Sequence, residues 1–405
     1  MTENTPAGQQ PFTIRSLVLS VYLPSFLFAI GQGAVMPIIP LLAIQLGGSI
    51  AAAGLVVAAR GLGTLVFDIP SGLAVSRFGD KGAMVAGTAM VTAIAVGATL
   101  SNSVVVLGLL IFVMGGGWAF WQIARQAYIS EVIPIAQRGR AMTILGSVHR
   151  AGNFVGPILG GFLGKYYGLH TVFYVQAVMG LGATVLVAAV IQHSIGSEQP
   201  SMQGLGRRLV KTAVEYRQIF IFAGFSVMCL QFLREARQVF FPLWGQMIGL
   251  DVAEIGLVFG AASFLDAAFF YPVGYIMDHW GRKWVGVPCL FIHALGFLLL
   301  PATGGLVGFV SVAILMGIGN GLGTGILLTL GADLAPPDRR GEFLGVWRVT
   351  GDAGSTSGPL VASFFIGLAG LGLASVGCAG IGFVGTLVMA FLVPETLPRR
   401  ANVKR

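Results

Sequence analysis

The chain has 405 residues, 55% of them hydrophobic and only 10% charged, with a formal net charge of +8. A soluble domain carries about 25% charged residues, so a water-facing globular protein is excluded and lipid is the natural solvent. The 60 glycines do not signal low-complexity disorder in so apolar a chain, because glycine is frequent in membrane helices.

In chain order, residues 1–13 are a polar tail expected to be disordered. A spanning helix needs about 20 apolar residues. Such runs fall near 17–44, 51–76, 83–100, 104–130, 141–167 and 170–193, then near 218–248, 252–278, 284–303, 305–332, 342–366 and 370–393. The first is too long for a signal-peptide core and reads as a span. The expected fold class is an all-α membrane protein of twelve transmembrane helices. Residues 14–193 and 218–393 form two six-helix bundles, 194–217 a linker, and 394–405 a basic tail. Within the linker, 206–217 has the pattern of a short amphipathic helix with Leu209, Val210, Ala213 and Val214 toward lipid; a plain tether between the halves is the other reading. Cys229, Cys289 and Cys378 each sit in an apolar run without metal-ligand spacing, so neither a disulfide framework nor a metal site is expected.

Lys and Arg gather in alternate loops. These hold Arg77 and Lys81; Arg138 and Arg140; Arg207, Arg208, Lys211 and Arg217; Arg282 and Lys283; Arg339 and Arg340; and Arg399, Arg400, Lys404 and Arg405 in the tail. The intervening loops have one clear cation, Lys165. The positive-inside rule then puts both termini and the linker in the cytoplasm. The same loops account for the net positive charge, so no nucleic-acid partner is implied.

Shifting the sequence against itself by 202 positions aligns Pro40 with Pro242, Gly54 with Gly256, Pro70 with Pro272, Gly79 with Gly281, Gly115 with Gly317, Arg138 with Arg340 and Pro157 with Pro359. One ungapped offset across five helices marks an internal repeat. Both halves start on the same side, so the bundles are parallel and pseudo-symmetric about an axis along the membrane normal. That arrangement puts a substrate path between the halves, exposed alternately by rocking.

The loop after the second run carries Gly72, Ser76, Arg77, Gly79 and Lys81; its copy carries Gly274, Asp278, Gly281, Arg282 and Lys283. The pair resembles the G-x-x-x-D-[RK]-x-G-x-[RK] signature of the major facilitator superfamily, where it latches helices together at the inner gate. Glycines there permit tight approach and a sharp turn, and the carboxylate suits a helix N-terminus. The second copy is the better one, since Ser76 stands where the family has Asp. Ile30-Gly31 followed by Pro37-Ile38-Ile39-Pro40 resembles the first-helix motif of the twelve-helix drug:proton antiporters. Gly152, Gly156, Pro157, Gly160 and Gly161 resemble their fifth-helix antiporter motif, with Thr143 in place of a further Gly, and Gly354, Gly358 and Pro359 resemble their eleventh-helix motif. The family's fourth-helix Arg, linked there to proton transfer, is Ile111 here. Arg125 lies roughly 20 Å further along that helix and is no simple substitute. The resemblance covers nearly the whole chain. It implies the major facilitator fold and proton-coupled efflux of a small lipophilic or drug-like molecule. It also implies protons and the lipid bilayer as partners, a monomer in the inner membrane, and no cofactor.

Ionisable side chains inside a bilayer need a partner or a wet cavity. The expected cavity set is Asp352, Arg348, Arg150, Asp68, Arg60, Asp266, Arg234 and Glu235. Arg348 and Asp352 are four apart on one helix face and can pair. Asp352 is also the repeat counterpart of Arg150, which makes it the leading candidate for the proton site. Asp68 suits either an inner-gate or a proton-carrying role. Arg234, Glu235 and Arg237 suit a structural anchor in the outer half of the seventh helix or a place in the cavity. Arg125 and Glu131 read as gate ion pairs, and His149 and His293 as hydrogen-bonded helix contacts. An uptake symporter or facilitator on the same fold is the alternative function. No nucleophile with a base at helical spacing points to an enzyme.

Overall fold

In lipid every backbone N–H and C=O must be satisfied within the chain, so segments this apolar span as helices. The computed structural model describes residues 17–191 and 205–397, which are helical with no strand among them. The tail 1–13, most of the linker before Leu205, and the basic cluster from Arg399 to Arg405 lie outside the described residues. The first half supplies Val18–Gln45, 50–78, 80–99, Val104–Val132, Ile135–Tyr167 and Val172–Val190. The second supplies Arg217–Met247, the bent pair Val252–Ala268 and Phe270–His279, Lys283–Leu299, Leu306–Leu334, 340–369 and 371–391. These are the first to twelfth helices, and the twelve-helix expectation holds. Two of them run on into the next: Ile50–Thr99 and Arg340–Phe391 are continuous except at non-helical Gly79 and Gly370. The fifth helix is the least apolar, because Gly152, Gly156 and Gly160 alternate with His149, Arg150 and Asn153. It also begins earlier than the apolar run, its first turns carrying Arg138 and Arg140.

Backbone geometry repeats with the sequence. Gly47 (φ 86°) and Gly249 (φ 83°), Gly79 (φ 71°) and Gly281 (φ 117°), and Gly168 (φ 93°) and Gly370 (φ 79°) are each 202 residues apart. A side chain at any of them would strain the left-handed turn that ends its helix. The symmetry is broken at the eighth helix, which bends by 43° next to Pro272, whereas the second runs on past Pro70.

The halves meet at the end opposite the basic loops. A Cβ on Gly256 of the eighth helix would lie 2.8 Å from the Cα of Gly161 on the fifth, so the two backbones touch. The repeat-related contact sets Gly54 of the second helix against the Ser363 hydroxyl of the eleventh. Phe154 and Phe264 also meet across the halves, tilted by 51° with ring centroids 5.6 Å apart, and the outer segment Ile38–Gln45 packs on the seventh helix. Among the described residues, the fourth and tenth helices make no comparable contact. The molecule is therefore sealed at one end and parted at the basic end.

The linker helix, Leu205–Glu215, docks on the basic end of the eleventh. Arg208 Nε is 3.6 Å from Glu342, the Thr212 hydroxyl donates to Glu342 at 3.2 Å, and Arg339 pairs with Glu215. The four apolar residues expected to face lipid together are split: Leu209 lies against Gly345, while Val210 and Val214 are exposed.

A charged cavity between the halves

A cavity of about 370 Å³ lies between the sealed end and the parted end. The second helix contributes Arg60, Thr64 and Asp68, the fifth His149 and Asn153, and the seventh Glu235, Arg237 and Gln238. The eighth contributes Ser263 and Asp266, and the eleventh Asp352 and Ser355. Trp118, Met36 and Phe259 give it an apolar wall. Each residue faces inward because its helix lies beside the interface between the halves.

Three ion pairs organise the charges. Arg60 Nη2 meets Glu235 Oε2 at 3.2 Å, and Arg150 Nε meets Asp266 Oδ2 at 3.8 Å; both join one half to the other. Arg348 Nε meets Asp352 Oδ2 at 3.6 Å on one helix, as their spacing predicts. The ion partner of Asp352 is thus on its own helix, and that of Arg150 is Asp266. The structure does not select the symmetry-related pair of Arg150 and Asp352. Arg348 is the main opposite charge acting on Asp68, with Asp352 as a like charge. Of Arg234, Glu235 and Arg237, it is Glu235 that reaches across the cavity, to Arg60 of the opposite half. Arg234 donates to Gln231 Oε1 at 3.1 Å and to the Asn320 carbonyl at 3.0 Å. The Thr324 hydroxyl donates to Asp266 Oδ1 at 3.2 Å, a contact with no signal in the sequence.

Arg125 is 4% exposed and makes no gate ion pair among the described residues. It donates to Ser25 at 3.2 Å and to Gln122 at 2.5 Å, and sits over the Trp121 ring, because its helix turns it into the first half's core. His149 lies 5.7 Å from Trp118, centroid to centroid, and His293 bonds the Cys289 carbonyl at 2.9 Å, a helix contact as expected. The three cysteines are buried and free, and no metal-ligand group occurs among the described residues.

The basic-end motif works differently in its two copies. Gly79 and Gly281 make the sharp turns, but Gly72 and Gly274 have open space where a side chain would go, so no tight approach depends on them. Asp278, expected as the latch carboxylate, is exposed and makes no hydrogen bond or ion pair among the described residues. Asp333 and Glu395 take that part. Arg282 Nε meets Asp333 Oδ2 at 2.7 Å and its Nη1 donates to the Met277 carbonyl at 2.6 Å. Glu395 accepts from the backbone N–H groups of Arg282 at 2.9 Å and Lys283 at 3.0 Å. Burial alone would raise the Glu395 carboxyl, but these donors, with Leu397 and Thr396, hold it below the usual carboxylate range. In the first copy Arg77 is exposed beside the Phe78 ring, and the Ser76 hydroxyl donates to the Leu73 carbonyl at 2.8 Å.

The fifth-helix glycines have two faces. A Cβ on Gly152 would lie 3.0 Å from Ile30 N, one on Gly156 2.8 Å from Ala34 N, and one on Gly160 2.8 Å from Ala34 Cα, so this face seats the first helix. Gly161, beyond Pro157, faces the eighth helix instead.

At the sealed end, Lys165 Nζ donates to Asp251 Oδ2 at 2.7 Å, joining the end of the fifth helix to the cap of the eighth. The Lys165 hydrogen bond holds the Asp251 carboxyl below its usual range, with help from the Glu254 N–H. The same bond raises the Lys165 ammonium.

A family model described as Major Facilitator Superfamily matches residues 21–244 and again 223–405. The chain belongs to the Major Facilitator Superfamily. It is 21% identical to an MFS-type transporter of Methanocaldococcus jannaschii, over 87% of this chain and 92% of that one. It is 25% identical to the multidrug resistance protein MdtH of Aeromonas hydrophila, over 81% and 82%. The crystal structure of the nucleoside transporter NupG superposes with a TM-score of 0.77 at 14% identity, covering 94% of this chain and 100% of that one. This superfamily transporter thus carries its charges in the cleft between the two halves of the fold.

Proposed function

We propose that this transporter exports a small, partly lipophilic molecule in exchange for protons, as a monomer in the inner membrane with the basic end in the cytoplasm. The observation that carries the proposal is the pair of ion bridges that cross the cavity. Rocking of the halves changes the distance between Arg150 and Asp266 and between Arg60 and Glu235. It leaves Arg348 and Asp352 together on their common helix. A carboxylate whose cationic partner is on the opposite half changes proton affinity between conformations, which coupling requires. Glu235 meets the same condition, but the Asp266 bridge is the longer of the two, 3.8 Å against 3.2 Å, so Asp266 is the preferred proton site and Asp352, paired on its own helix, a positioning residue. One proton entering across 100 mV and one pH unit releases about 3.7 kcal/mol, enough for a gradient of a few hundred-fold.

Efflux as the direction is supported by the Gly152–Gly161 motif and by the similarity to a multidrug resistance protein. Ile111, in place of the family's Arg, favours the second reading, uptake or facilitated diffusion. The test compares accumulation of small amphipathic compounds in cells with and without the protein, before and after a protonophore. Lower accumulation that the protonophore abolishes supports proton-driven efflux; higher accumulation, or indifference to the protonophore, refutes it.

A further inference from the structure

Arg237 stands apart from the other cavity cations. Arg60, Arg150 and Arg348 each have a carboxylate, and Arg234 has an amide and a carbonyl. Arg237 lines the cavity and is 8% exposed, yet its Nε and Nη1 are buried with no hydrogen-bond partner among the described residues. Its guanidinium sits 5.7 Å from the Phe241 ring centroid, a contact that leaves the N–H edge unused. The charges acting on it are Asp266 and Glu235, both already engaged by other arginines, and Arg234, which repels it. The buried carbonyl oxygen of Gln238, beside it in the same cavity, also lacks a hydrogen-bond partner among the described residues.

A buried guanidinium without a hydrogen bond is costly. The cost is recovered when a planar oxyanion accepts two of its N–H groups. The charge balance agrees. Two arginines, Arg60 and Arg237, line the cavity with four carboxylates, Asp68, Glu235, Asp266 and Asp352; with the arginines that pair with or stand behind these, Arg150, Arg234 and Arg348, the cations number five against four. Trp118, Met36 and Phe259 offer an apolar surface in the same cavity. We infer that the transported molecule is an amphipathic organic anion or zwitterion whose carboxylate or other oxyanion docks on Arg237, its apolar body lying against Trp118 and Phe259. The free Gln238 oxygen accepts a donor on the same molecule.

This inference rests on the cavity being the transport site. Its test reads binding in detergent without any gradient, so failure of proton coupling and failure of the anion site are separable. The full-length protein is melted with benzoate, hexanoate or phenylphosphonate, with the amides benzamide and hexanamide, and with the lipophilic cation tetraphenylphosphonium. At least one anion should raise the melting temperature at concentrations where the neutral amides do not. Arg237→Gln should weaken that anion by about tenfold or more, and Arg237→Lys, which keeps charge but loses the fork, by less. Because Arg237 has no hydrogen-bond or ion-pair partner among the described residues to leave behind, Arg237→Gln without ligand should melt no lower than wild type. The inference is overturned if no anion outperforms its amide, if only the cation stabilises, if Arg237→Gln binds the anion as wild type does, or if Arg237→Gln alone lowers the melting temperature.

Discussion

Lys165 Nζ lies 2.7 Å from Asp251 Oδ2, an ion pair joining the two halves at the end where their backbones already touch. Asp251 also caps the eighth helix, accepting from Glu254 N at 2.9 Å in a capping box. Asn caps as well as Asp, so Asp251→Asn removes the bridge and keeps the helix start. Asp251→Asn and Lys165→Gln should each favour opening of this end. A cysteine introduced at Ser263, in the cavity, should label faster from outside in both variants, with the melting temperature nearly unchanged. Unchanged labelling would show that the glycine contact alone seals the end.

The same bridge predicts a pH window. The Asp251 carboxyl is depressed by the Lys165 hydrogen bond, so its contribution is complete above the ordinary carboxylate range and is lost as pH falls through the depressed value. The raised Lys165 ammonium contributes below the ordinary lysine range and loses that contribution as pH rises through the raised value. The bridge is therefore intact from about pH 5 to pH 9. Ser263→Cys labelling from outside should be flat in that window and rise on stronger external acidification. The rise should be absent in Asp251→Asn.

At the basic end, Arg282 is the residue to test. Its two charge-assisted hydrogen bonds, to Asp333 and to the Met277 carbonyl, tie the loop to the tenth and eighth helices. Arg282→Gln should lower stability by about 2 kcal/mol, read as a lower melting temperature in detergent. Asp278→Asn should leave stability within about 0.5 kcal/mol of wild type, since the side chain is exposed and unpartnered among the described residues. A larger loss for Asp278→Asn than for Arg282→Gln would reverse this assignment.

How much of this was legible in the sequence depends on what each feature needs. Helix number and the repeat follow from apolar runs and from glycines and prolines in register, because membrane helices form by local rules. Position in the cavity was legible for Arg60, Asp266 and Asp352, since a charge in an apolar run has few places to go. Partner choice was not. Arg150 and Glu235 find Asp266 and Arg60 only when the halves are docked, and no helical spacing encodes that. The motif points to Asp278 as the latch carboxylate because a motif describes one loop, whereas the acceptors Asp333 and Glu395 come from the tenth helix and the chain after the twelfth. Lys165 did leave a signal, as the lone cation in the sparse loops. The pairing with Asp251 needed the eighth helix in place.

Close approach at the sealed end predicts a steric effect. A Cβ on Gly256 would lie 2.8 Å from Gly161 Cα, with backbone on both sides and no flexible side chain to yield. Gly256→Val should prevent sealing and abolish net transport while leaving the cavity labelled from outside through Ser263→Cys. Transport at more than half the wild-type rate would mean that the halves seal by another contact.

The central claim is that a proton binds a cavity carboxylate whose cationic partner lies on the opposite half. The most direct measurement uses the purified protein in liposomes with a transported amphipathic compound, comparing wild type, Asp266→Asn and Asp352→Asn with and without an imposed pH gradient. Wild type and Asp352→Asn should accumulate the compound in response to the gradient. Asp266→Asn should still exchange it across the membrane but show no response. A full gradient response in Asp266→Asn, or its loss in Asp352→Asn alone, would contradict the account.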